Sequence, residues 1–129
     1  MTPYERMGGE AGIRRLTHRF YALMDTLPEA AACRAVHPPT LANAEQRLFE
    51  YLSGWLGGPS LYIERHGRPM LRRRHLRAAI GAEEVRGWLL CFHRAWDEQT
   101  TDAALGEDVL PRIEKLAYHM QNGGCGERI

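Results

Sequence analysis

The sequence predicts an all-α domain. Apolar residues recur at three- and four-residue spacing through most of the chain, and runs of strict alternation, the mark of half-buried strands, are missing. The periodic runs also stop at proline or glycine, as amphipathic helices do. LYI at 61–63 is the one faintly extended stretch, and it is too short to count as a strand.

Ile13, Leu16, Phe20, Leu23, Met24 and Leu27 fall on one face of a first long helix, which Pro28 stops. A short helical turn over 28–35 follows, because proline is tolerated at a first helical position, and the sequence HPP at 37–39 ends it. Leu41, Ala44, Leu48, Tyr51, Leu52 and Trp55 form the face of a second long helix, closed by Gly57, Gly58 and Pro59. Residues 60–70 read as a loop with about one helical turn, and 71–79 as a helix too short to hold without packing on something. Val85, Trp88, Leu89, Phe92 and Trp96 define a third long helix from Ala82. Val109, Ile113, Leu116, Ala117 and Met120 define a fourth, ending at Asn122, Gly123 and Gly124, with Pro111 either starting or kinking it.

A chain of 129 residues is the usual size of one domain, so a single unit over 1–129 is expected. Seventeen Lys plus Arg against sixteen Asp plus Glu leave a formal charge of +1. That balance lacks the field of a general nucleic-acid binder, and any basic site must be local. Cys33, Cys91 and Cys125 are odd in number, far apart and without a CxxC pair, which argues against a disulfide framework or a thiolate zinc site and fits the cytoplasm. The start, MTPYERMGGEAG, has no basic segment followed by an apolar run, and no stretch of about 18 uncharged apolar residues occurs, so neither export nor a membrane is expected.

An all-α domain of this size has either a simple bundle core or a bundle opened around a cofactor. Tyr21, Tyr51, Trp55 and Trp88 sit on or beside the apolar faces of the long helices, where a hydroxyl or indole N–H needs a partner once buried. They suit core packing with polar tips at the surface, or the lining of a pocket. The stretch LRRRHLRAAIG at 71–81 sets His75 among Arg72, Arg73, Arg74 and Arg77. Such a cluster serves a phosphate backbone, an acidic partner or a ligand with carboxylates, and a lone histidine is often a surface residue. With Leu71 and Leu76 beside it, His75 also suits iron protoporphyrin, which asks for a neutral imidazole, apolar walls and cations for two propionates.

Five motifs in order then resemble the group II truncated hemoglobins over nearly the whole chain: YERMGGEAGIRRL at the start, RFY at 19–21, AEQRLFEYLSGWLGGP at 44–59, LYIERHGRPMLRRRHL at 61–76, and Trp88 within GWLLCFHRAW. The resemblance implies a shortened globin, two helices packed over two around haem b, with a vestigial first helix and a very short proximal helix. It implies His75 as the axial ligand to iron, Leu48, Leu52 and Leu89 against the ring, and Arg72 and Arg74, with Arg47 and Tyr62, near the propionates. On the distal side it implies Tyr21, Trp88 and His37 as polar groups, with the small Ala44 at the pocket mouth. After His75 the family commonly has a proline and a phenylalanine, whereas Arg77, Ala78 and Ala79 stand here, which implies looser proximal packing without loss of the ligand. His18, His66, His93 and His119 are assigned to the surface or an interface, since they are not spaced as a second metal site and HEXXH is absent.

The function this implies is binding of dioxygen and other diatomic ligands at a His-ligated iron, in a monomer or homodimer. Two strong donors argue against simple carriage. Nitric oxide dioxygenation or peroxidase-type chemistry would need an external reductase, because no GxGxxG fingerprint is present. The competing class is a cofactor-free helical interaction module that uses Arg72 to Arg77 to grip an acidic partner or a phosphate backbone; it leaves Tyr21 and Trp88 unexplained.

Overall fold

The computed structural model describes residues 1–68 and 80–121. Among them are seven α-helices and no strand: α1 Pro3–Arg6, α2 Gly9–Thr26, α3 Ala31–Ala35, α4 Ala42–Trp55, α5 Leu61–His66, α6 Ala82–Gln99 and α7 Ala103–His119, with a 3-10 turn Pro28–Ala30 before α3.

Local chemistry sets most of the ends. Thr2 caps α1 in a reciprocal box, its hydroxyl accepting from the Glu5 N–H while the Glu5 carboxylate accepts from the Thr2 N–H at 2.9 Å. α2 stops before Pro28, as its apolar spacing requires. α4 ends at a left-handed Gly57 (φ +96°), and the chain is tied back by Ser53, whose hydroxyl donates to the Pro59 carbonyl at 2.7 Å. Asp102 caps α7 through the Leu105 N–H at 3.1 Å.

Two expectations need correction. LYI at 61–63 is not extended; it opens α5, which runs a full six residues. Pro111 does not start the fourth long helix. α7 begins at Ala103, and Pro111 sits exposed in its interior, where it offers no N–H to the Glu107 carbonyl one turn earlier. The short helix over 71–79 and the Asn122-Gly123-Gly124 stop, like Cys125, lie outside the described residues. Cys33 and Cys91 are buried free thiols. No described helix is long and apolar enough to cross a membrane.

α2 is the centre of the packing. Its buried stripe of Ile13, Leu16, Phe20, Leu23 and Met24 meets both α4 and α6, and α6 packs in turn on α3 and α7. Gly12 lets α2 start tightly against α1, because a Cβ there would stand 1.7 Å from the Met7 carbonyl oxygen. α4 reaches this centre through α2 and α7 through α6, and the two helices border one open space.

Candidate functional site: a lined cavity between helices

That space is a cavity of about 650 Å³, within the range usual for small-molecule and cofactor sites. α4 contributes Ala44, Arg47, Leu48, Tyr51 and Leu52 to its wall, and α7 contributes Ile113, Leu116 and Ala117. Tyr21 from α2, Cys33 from α3, Val85 and Trp88 from α6, and His37 from the following loop close the far side, while Tyr62 of α5 lies at the other end. The wall is mostly aliphatic and aromatic, with few polar groups.

Those polar groups are ordered by aromatic packing. The Phe20 ring stands edge-on to Tyr21 at 4.7 Å and to Trp88 at 5.0 Å, so one core side chain sets both donors. Trp88 is held from behind by a stack on Phe92 at 5.4 Å. Tyr21 is only 6% exposed, yet among the described residues neither its hydroxyl nor the Trp88 indole N–H has a hydrogen-bond partner. Among the described residues no fully enclosed side-chain polar atom lacks a partner, so these two open into the cavity. Burial pushes the Tyr21 phenol well above its usual range, which keeps its proton in place as a donor. His37 lies edge-on to Tyr21 at 6.0 Å, and its Nδ1–H donates to the Cys33 carbonyl at 2.9 Å. That bond fixes the ring tautomer and makes Nε2 the acceptor nitrogen of the neutral ring. The Cys33 thiol is pushed up to about 12 by burial first and then by nearby Cys91 and Glu84, so it is a protonated, unreactive wall group at neutral pH.

The structure brings together Tyr21, Trp88, His37, Ala44, Arg47, Leu48, Leu52 and Tyr62 around one volume. Leu89 is not among the lining residues; it is 8% exposed and faces the core one position beyond Trp88 on α6. His75, Arg72, Arg74 and Arg77 lie outside the described residues, as does the whole basic cluster. For the α7 wall, with Ile113, Leu116 and Ala117, the sequence shows the periodic helix face but not what that face meets. His18, exposed, pairs with Glu45 at 3.3 Å, and His93 with Glu114 at 3.2 Å. His66 is more deeply engaged than a surface residue. Its Nε2 meets the buried Glu50 at 2.7 Å while Arg65 binds the other oxygen, a junction of α4 and α5 that no sequence motif marked.

The cavity fits a flat, largely apolar cofactor with an acidic edge. Aliphatic side chains face one another from α4 and α7, two donors open on one side, and exposed Arg47 stands at the rim with no ion pair among the described residues. The family model described as bacterial-like globin matches residues 2–122. The chain belongs to that family. This globin is 56% identical to a group II 2-on-2 hemoglobin from Agrobacterium tumefaciens, with 95% of each chain covered and a TM-score of 0.93. It is 35% identical to the group 2 truncated hemoglobin YjbI of Bacillus subtilis over 93% of this chain and 88% of that protein. The truncated oxygen-avid haemoglobin from Bacillus subtilis superposes with a TM-score of 0.85 at 34% identity, covering 95% of this globin and 100% of that chain. The fold is therefore that of a truncated globin, and the cofactor of the family is haem b. This globin is a haem protein that binds oxygen or other small ligands.

Proposed function

We propose that the cavity between α4 and α7 would hold haem b, with His75 as the residue that would bind its iron, and that the open volume beside Tyr21 and Trp88 would hold dioxygen or another diatomic ligand tightly. Haem iron, when bound, supplies the redox-active centre to which such a ligand attaches. Everything else falls to the chain. Tyr21 and Trp88 donate from two directions to a ligand atom that gains electron density, in a place where water does not compete. Arg47, with Arg72 and Arg74, balances the propionates. Ala44 leaves the mouth open beside His37.

The observation that supports this most directly is the pair of donors with no partner among the described residues, set by one phenylalanine on an otherwise apolar wall. Strong retention agrees with the oxygen avidity named for the Bacillus subtilis relative and suits scavenging or redox turnover better than carriage. Nitric oxide dioxygenation or peroxide-dependent oxidation in the cytoplasm would then draw electrons from a separate reductase.

The test is the optical spectrum of the purified protein, ferric, reduced and oxygenated, beside that of His75→Ala, followed by oxygen dissociation rates for Tyr21→Phe and Trp88→Phe. A strong Soret band lost or perturbed in His75→Ala, with escape faster by about tenfold for each lost donor, is expected. A protein that stays colourless with added hemin would refute the reading. Unchanged dissociation in both aromatic variants would remove the donors' role.

A further inference from the structure

The stack that begins at Trp88 continues along α6. Phe92 stacks in turn on Trp96 at 6.1 Å and 23°, and Trp96 ends the row under a second, separate cleft of about 460 Å³ between the end of α6 and the start of α7. Trp96 is 2% exposed, and its indole N–H has no hydrogen-bond partner among the described residues. Because no fully enclosed side-chain polar atom among the described residues is unpartnered, that nitrogen opens into the cleft it lines. Gly106 keeps it uncovered: a Cβ there would lie 3.5 Å from the indole nitrogen. A buried donor left open at the floor of a recess calls for an acceptor from outside.

The walls add charge of one sign. Asp97 from α6 and Glu107 from α7 both line the cleft and are exposed, and neither forms an ion pair among the described residues. Asp102 is taken by Arg6 at 2.6 Å and by the Leu105 N–H, and Glu114 by His93 at 3.2 Å. Among the described residues neither lysine nor arginine lines the cleft. A donor below and two free carboxylates at the sides match a molecule with an acceptor oxygen and a positive charge.

We propose that this cleft is a second binding site, distinct from the haem cavity, for a small organic cation that carries a carbonyl acceptor. The carbonyl accepts from Trp96, and the cation lies between Asp97 and Glu107. The site does not depend on the reading of the haem cavity, which its own spectra test.

The probe is Nα-acetylargininamide, a guanidinium with amide oxygens, titrated into the reduced, carbon monoxide-saturated holoprotein while the three tryptophan indole N–H resonances are followed. Trp96→Phe assigns the Trp96 signal. A saturable shift of that resonance, absent with the neutral analogue Nα-acetylcitrullinamide, is expected. Gly106→Ala introduces a methyl at ordinary contact distance in a helix. It should leave the melting temperature unchanged or raised while weakening binding by about tenfold, the loss of one hydrogen bond. Asp97→Asn with Glu107→Gln should weaken it as much. No saturable shift at Trp96, equal binding of Nα-acetylcitrullinamide, or affinity unchanged in both variants overturns the proposal.

Discussion

Gly12 shows how much a single position decides. A methyl group at its α-carbon would collide with the Met7 carbonyl oxygen, which is backbone and cannot swing aside. Gly12→Ala should therefore destabilise the fold by about 2 kcal/mol or more, seen as a lower thermal midpoint with an unchanged Soret band in the protein that remains folded. Nothing in the sequence distinguishes this glycine from its neighbours, because the contact comes from the turn between two helices. The cavity's donors were more legible. Tyr21 and Trp88 stand out as polar aromatics on apolar stripes, and such residues need either a partner or an opening. His37 was placed by resemblance across a proline-rich stretch, and its ring lies on the cavity wall.

Between elements, the junction of α4 and α5 rests on Glu50. Burial alone would raise its carboxyl, but hydrogen bonds from Gln46, Arg65 and His66 bring it down to about 2. A carboxyl with a folded pKa below its unfolded value of 4.5 stabilises the fold above about pH 4.5, and that contribution disappears as pH falls toward 2. Denaturation curves between pH 6 and 2, on the order of that titration range, should lose stability across this window in the wild type and run flatter in Glu50→Gln. At neutral pH the variant should be less stable by about 1–3 kcal/mol, limited by the half-exposed Arg65. A variant with the same acid dependence as the wild type would contradict the assignment. The long helices were readable because each buries one stripe. The α4–α5 junction was not, since Arg65 and His66 lie in a stretch whose helical run is barely two turns and Glu50 alone reads as a solvated charge.

The whole molecule is organised around the volume between α4 and α7. Those helices share no tight core of their own there, so the apolar walls need a filler. Haem removal should lower the thermal midpoint substantially. At free cofactor about 1,000-fold above its dissociation constant, binding adds about 4 kcal/mol. Circular dichroism should show the apoprotein keeping much of its helix through the α2–α6 centre and gaining midpoint on titration with hemin. An apoprotein as stable as the holoprotein would mean that the cavity closes on itself.

From the sequence alone came the helical class, the four long amphipathic stripes, the polar aromatics that line the cavity and the family. Each of these depends on local spacing or on motif order, which survive without coordinates. The tertiary structure decided which stripes face a cavity: Ile113 and Leu116 line it, while Leu89 turns into the core. It also decided that Glu50 holds two helices and that Trp96 opens under Gly106. Periodicity identifies a face that leaves water, but only the approach of distant segments determines whether that face meets protein, a cofactor or a recess.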